Sequence, residues 1–203
     1  MKNEKLKINL GLALRSAATK GFTMIELLIV IAVLGILAVA VLSAINPIEQ
    51  INRGRDTSSK SDAEQLLSAI DRYNASRGLW PWQDTTADPA AVPWGKITAT
   101  YPTGSTCSML QNLASGTDPC PGTDEIKAAF VNRITSDKNN ALYIAYGGAT
   151  GQSVYVCFNP QSGSFKKEAD DRCSSRPTDY PAAACGSCPT DSLGKHTNCV
   201  CLP

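Results

Sequence analysis

Histidine is nearly absent from this 203-residue sequence: it has one, His196, against eight cysteines. A single imidazole leaves any Ser-His-Asp arrangement one candidate base, and this one lies beside Lys195 in a cysteine-rich tail, a poor setting for hydrolysis. No phosphate-cradling glycine loop and no dinucleotide fingerprint occurs, so nothing recommends an enzyme. An excess of either charge is missing too, with 19 basic and 18 acidic residues. Residues 1–21 hold five of the basic residues and one acidic; the remainder carries 14 basic and 17 acidic, a net −3. That sign argues against a general nucleic-acid surface, which neutralises phosphates with Lys and Arg.

Charge is missing altogether from Leu27 to Ile45, whose one hydroxyl is Ser43. As a helix this apolar run is about 28 Å long, close to a bilayer's hydrocarbon core. Lys2, Lys5, Lys7, Arg15 and Lys20 precede it, which predicts a cytoplasmic N-terminus and an outward-facing remainder. An ordinary secretory signal has an apolar core of about 7–15 residues followed by a cleavage site, whereas this run is 19 residues long.

Glu26 stands one turn inside the edge of this helix, after Phe22, Met24 and Ile25. A lone carboxylate in lipid costs about 2.5–3.5 kcal/mol on insertion scales. Two readings stand: the side chain snorkels to the interface, or it meets a cation. A cut after Gly21 would create that cation as the α-amino group of Phe22, and a neighbouring copy shifted along the axis would bring amine and carboxylate together.

The segment Gly21-Phe22-Thr23-Met24-Ile25-Glu26-Leu27-Leu28, continued by Ile29 to Ala38, resembles the type IV pilin superfamily, which includes the secretion pseudopilins. The resemblance covers about residues 15–75. It implies that a prepilin peptidase cuts between Gly21 and Phe22, that Phe22 is N-methylated, and that Glu26 pairs with the amine of an adjacent subunit. It further implies that the inner-membrane assembly machinery transfers the chain from lipid into a filament of identical or related pilins. Major pilin, minor pilin and pseudopilin stay open. A monomeric signal-anchored protein that binds a surface ligand is the alternative of another class.

The expected organisation is a leader 1–21, an apolar helix 22–46, an amphipathic half-helix 47–78 and a globular part 79–203 with a disulfide-rich tail 170–203. Pro47 predicts a kink rather than a stop, and the polar stretch Arg53 to Asp62, with Gly54, lowers helix propensity, which leaves open whether the helix breaks or melts within residues 46–59. Ala63, Leu66, Leu67, Ile70 and Tyr73 keep helical spacing until Gly78 and Pro81 end it. Trp80 and Trp82 are expected to pack beneath the helix. Residues 84–102 read as a long loop; Cys107–Leu113 and Asp124–Val131 as short helical turns. Ala141–Tyr146 and Val154–Phe158 read as a hairpin, with Ser164–Glu168 as a third strand. The fold class is therefore α+β, a long helix on a small antiparallel meander.

Cys107, Cys120, Cys157, Cys173, Cys185, Cys188, Cys199 and Cys201 all fall on the predicted outer side, where an even count favours disulfides. Cys107 with Cys120 is the local pairing. Cofactors are not expected. Zinc on Cys185, Cys188, His196, Cys199 and Cys201 has only half of a usual spacing, and a thioredoxin-like role for Cys185 and Cys188 lacks its strand-then-helix context. Asp170, Asp171 and Asp179 show no regular calcium spacing and read as solvated turn residues.

Overall fold

The computed structural model describes residues 21–104, 106–117, 119–136, 141–189 and 196–203. Residues 1–20 of the leader and Lys195 lie outside them. The chain divides into two units at Asn46/Pro47.

The first unit contains α1, Met24–Ala44, which none of its own side chains leaves buried. The helix ends where Ile45 turns to extended backbone (φ −102°, ψ 129°). Helix α2, Pro47–Arg77, then runs unbroken for 31 residues. Where a kink is expected the helix instead stops, at residues 45–46, and the polar stretch with Gly54 stays helical. Proline at the first position of α2 explains the restart, since its missing N–H has no intrahelical partner there anyway. Gly78 closes α2 in the left-handed conformation (φ +69°) and donates its N–H to Asn74 O at 2.8 Å.

In the second unit, α2 lies against a four-stranded antiparallel sheet. Its strands are β1 (Val92–Lys96), β4 (Leu142–Tyr146), β5 (Tyr155–Phe158) and β6 (Val200–Leu202), in the order β1-β4-β5-β6. A second, two-stranded ladder joins β2 (Ser115–Thr117) to β3 (Cys120–Gly122) after the short helix α3, Met109–Leu113. Helices α4 (Ala128–Ser136) and α5 (Gly163–Ser174) complete the described elements, with a single 3-10 turn at Ala182–Ala184. The expected hairpin forms as β4 and β5. The loop of residues 84–102 contains the edge strand β1, and the tail contains the opposite edge strand β6. Edge β1 is blunted by Pro93, which has no N–H, and by Tyr101, whose ring lies over Gly95 and whose hydroxyl donates to Pro93 O.

Side chains alternate across the sheet, as the pleat requires. Leu142, Ile144, Val156, Phe158 and Val200 face the core formed with Ala63, Leu66 and Ile70 of α2, Met109 and Leu113 of α3, and Phe130 and Ile134 of α4. Trp82 is buried in this core and stacks on Trp80 at 5.4 Å between ring centres, and its indole N–H donates to Ala90 O. Tyr143, Tyr155, Cys157 and Cys201 face the other way, under a cover formed by Tyr180, Ala184, Cys188 and Cys199. Both faces are therefore closed, the second by the cysteine-rich tail.

Residues 164–168 are not a strand: they belong to α5. Ser162 caps that helix by accepting the Phe165 N–H, and Phe165 and Ala169 recur at helical spacing on its inner face. Distant carboxylates hold its first turn. Asp56, buried in α2, accepts Gln161 N at 2.9 Å, Ser162 N at 2.7 Å and Ser162 Oγ at 2.6 Å, while Glu49 accepts Gly163 N at 2.9 Å. These groups satisfy donors that a helix N-terminus leaves free. The polar stretch of α2 is thus a docking seam as well as a solvated face, and it includes Asp62, which is buried against Arg133 of α4. Asp56→Ala would strand buried donors on α5 and is expected to destabilise the second unit by about 2–4 kcal/mol. Denaturant unfolding of the full chain in detergent, followed by tryptophan fluorescence, measures the loss; a change within about 0.5 kcal/mol, the range of ordinary surface substitutions, would show that the seam is dispensable.

Candidate assembly site

Residues 22–44 present an apolar surface with no partner inside their own unit. Phe22 is 85% exposed and Met24 92%, and Leu27, Ile31, Leu34 and Leu42 are each more than half exposed. Among the described residues this is the one helix long and apolar enough to cross a membrane.

At its start the chain forms a reciprocal cap. Thr23 Oγ1 accepts the Glu26 N–H at 3.3 Å, while Glu26 Oε2 accepts Thr23 N at 2.9 Å and Thr23 Oγ1 at 2.8 Å. The sequence carried the signal, since Thr23-Met24-Ile25-Glu26 has the Thr-x-x-Glu spacing of a capping box before an apolar run, but reasoning from charge alone passed over it. The cap means that Glu26 in a single chain already has donors, which lowers the cost of a carboxylate beside lipid. Both donors fall on Oε2, at the exposed tip of the helix next to Phe22. Gly21 and Phe22 are themselves exposed, non-helical residues.

The eight cysteines form four disulfides: Cys107–Cys120, Cys157–Cys201, Cys173–Cys185 and Cys188–Cys199. The residues considered for zinc are accordingly shared among three different bonds, and a disulfide sulfur is not the thiolate that zinc requires. His196 instead lies 2.8 Å from Asp170 Oδ1, which also accepts Asn198 Nδ2 at 2.7 Å. The Asn198 amide, with help from His196, holds the Asp170 carboxyl below its ordinary range. Asp171 pairs with Lys167 at 2.9 Å. Asp179 is occupied elsewhere, accepting Ser153 N at 2.9 Å and the Tyr155 hydroxyl at 3.0 Å. Among the described residues no group of three or more His, Cys, Asp or Glu side chains converges as a metal set.

The Ser153 N–H, and after it the Tyr155 hydroxyl, lower the Asp179 pKa. A carboxyl depressed in the fold adds stability above its unfolded pKa of about 3.9, and that contribution is lost as pH falls toward the folded value. Asp179→Asn is therefore expected to make the decline of Tm below about pH 4 shallower than in the parent. It should not flatten it, because Asp170 is held low as well. Thermal melts across pH 2–5 provide the check, and parallel acid profiles would dismiss the linkage. Tyr180, in the cover itself, has its hydroxyl pushed up to about 12 by burial and stays neutral.

A family model described as a prokaryotic N-terminal methylation motif matches residues 17–42. A type IV major pilin protein, PilE1, of Neisseria gonorrhoeae is 40% identical over 74 residues, 36% of this chain and 44% of that protein. Fimbrial protein EcpC of Eikenella corrodens is 38% identical over 77 residues, 38% of this chain and 49% of the relative. A fimbrial protein of Neisseria meningitidis serogroup B is 41% identical over 71 residues, 35% of this chain and 41% of the relative. The match thus spans less than half the length of each relative. No solved structure matches the chain.

Proposed function

We propose, from the premise that this chain belongs through its N-terminal third to the type IV pilin superfamily, that it is a structural subunit of a type IV pilus or pilus-like filament. The observation that carries the reading is α1: a fully exposed apolar helix whose one charge, Glu26, stands beside the cleavage motif. Before assembly the helix is a single-pass anchor with its N-terminus in the cytoplasm. A prepilin peptidase cuts between Gly21 and Phe22, and Phe22 is N-methylated. The assembly machinery then draws the helix out of lipid.

Once extracted, the surface from Phe22 to Ile45 needs another apolar surface, and other copies of α1 provide it. At about 25 cal/mol per Å² such burial is worth tens of kcal/mol gross, far more than one ion pair contributes. Packing therefore gives cohesion. The Phe22 amine of one subunit, meeting Glu26 of the next, penalises every wrong stagger with an unpaired charge. The relatives matched are pilins and fimbrial proteins, which supports a structural rather than a chemical role.

Sequencing the mature N-terminus tests this. N-methylated Phe22 as the first residue is the expected result. A mature chain that retains Met1 and residues 2–21 would replace this reading with a simple membrane anchor.

A further inference from the structure

We propose that the chain reaches its disulfide pattern through a thiol–disulfide isomerase of the oxidising compartment, which acts while the second face of the sheet is still uncovered. The bonds are nested. Cys157–Cys201, with a separation of 44 residues, encloses both Cys173–Cys185 and Cys188–Cys199, with separations of 12 and 11. With the N-terminus held in the cytoplasm, the part beyond the anchor emerges in chain order and presents Cys173 to Cys157 well before Cys201 exists outside. The 28 residues between those two cysteines take about 1–6 s to emerge at ordinary synthesis rates, and oxidation begins on the scale of seconds. Even with the chain fully exported, closing the 16-residue loop from Cys157 to Cys173 is favoured about fivefold over the 44-residue loop by chain statistics. For Cys157, order of appearance and loop length both favour Cys173 over Cys201.

Burial then decides when the error can be corrected. Cys157 is fully buried and Cys201 95% buried, beneath the segment that the other two bonds staple down. A wrong bond in place when the cover closes is out of reach of any thiolate, so exchange has to precede closure. In that open state Tyr143, Tyr155 and Tyr180 are uncovered as well, which suits a partner that combines a low-pKa thiolate with an apolar cleft.

The exchange itself is redox-neutral, and the electrons of bond formation go to a protein disulfide of the oxidising compartment. That disulfide takes two electrons and two protons from Cys157 and Cys173 and becomes a dithiol. The partner's thiolate attacks Cys173 Sγ, forming a mixed disulfide and expelling Cys157 as a thiolate. Cys185 thiolate then attacks Cys173 Sγ, closes the native bond and returns the partner's thiolate. Cys157 is joined to Cys201 by the same kind of two-electron, two-proton oxidation that every bond needs. Cys107–Cys120 joins consecutive cysteines only 13 apart and serves as an internal control.

The experiment expresses the full chain in cells with and without the compartment's disulfide isomerase, traps thiols by alkylation and maps disulfide peptides by mass spectrometry. Without the isomerase the Cys157–Cys201 peptide is expected to fall about fivefold in favour of Cys157–Cys173, following the loop statistics, with Cys107–Cys120 unchanged. Removing the competitor and its partner, in Cys173→Ser/Cys185→Ser, should restore most of the Cys157–Cys201 peptide in those cells. Native pairing at full yield without isomerase, equal loss of Cys107–Cys120, or undiminished dependence in the double variant would each overturn the proposal. The readout is a peptide map, so it is independent of whether filaments form.

Discussion

Glu26→Gln is expected to leave the chain in the membrane and to abolish its filaments. Glutamine keeps the reciprocal cap, because its side-chain carbonyl can accept from Thr23 as Glu26 Oε2 does at 2.8–2.9 Å. What it removes is the charge. The apolar run is untouched, so insertion, which depends on about 20 consecutive apolar residues, should proceed as in the parent. Assembly should fail because the Phe22 amine of each incoming subunit would then enter an apolar bundle with no counter-charge, a cost of about 3–5 kcal/mol for a broken buried pair. At 1.4 kcal/mol per tenfold, that is a loss of at least a hundredfold in each addition step. Glu26→Ala should do the same while also losing the cap, typically worth about 1 kcal/mol. Membrane fractionation and electron microscopy of sheared filaments separate the two steps. Parental filament numbers in the glutamine variant would refute the register role and leave packing alone to set the stagger.

The two halves of the molecule differ in how openly their sequence declares them. In α1 a single property, unbroken apolarity, determines the element, and its ends are marked by Thr23 and Pro47. The hairpin of β4 and β5 is equally plain, because β-branched and aromatic residues flank a glycine-rich turn and both sheet faces are buried. Helix α5 is different. Its sequence, Gly163-Ser164-Phe165-Lys166-Lys167-Glu168, has few apolar positions, and what fixes it as a helix is Asp56, more than 100 residues earlier in the chain, accepting the N–H groups at its start. Local propensity cannot show a capping group supplied by another element. The same reasoning explains Arg53 to Asp62: as a string they are a polar, glycine-containing patch, yet Asp56 and Asp62 are buried because their partners come from the residues leading into α5 and from Arg133 of α4. Strands β1 and β6 escape notice because each lies at an edge, β1 with Pro93 inside it and the three-residue β6 with Pro203 just after it. The cysteines give an even count and one local pair; the nested pairing needs the register of β5 against β6.

That register makes Cys157–Cys201 the bond whose loss should cost most. The two residues face each other in adjacent strands, and β6 is only three residues long. So short a strand pays for its ordering poorly from ladder hydrogen bonds alone, and the disulfide keeps its end near β5 in the unfolded chain. For a 44-residue loop the chain-entropy model gives about 4 kcal/mol, against about 3 kcal/mol for the 13-residue loop of Cys107–Cys120. Cys157→Ser/Cys201→Ser adds a second cost, since two hydroxyls then occupy positions 0% and 5% exposed. The loop entropy alone lowers Tm by about 8–16 °C, using about 2–4 °C per kcal/mol for a unit of this size, and the buried hydroxyls add to that drop. It should also loosen the cover, because Cys201 of β6 lies beneath it, Cys199 just before β6 belongs to it, and Arg172 of α5 holds the Pro203 carbonyl beyond the strand's end. Limited proteolysis of the full chain in detergent should therefore cut after Arg172 or Arg176 in the double variant and spare the parent. Cys107→Ser/Cys120→Ser is the reference: it opens a peripheral ladder away from the sheet, so its melting loss should be smaller and the cover should stay resistant. An equal or larger loss in that reference pair would mean that the unit is held chiefly from the side of α3, and that the tail is a passenger on the sheet rather than its second layer.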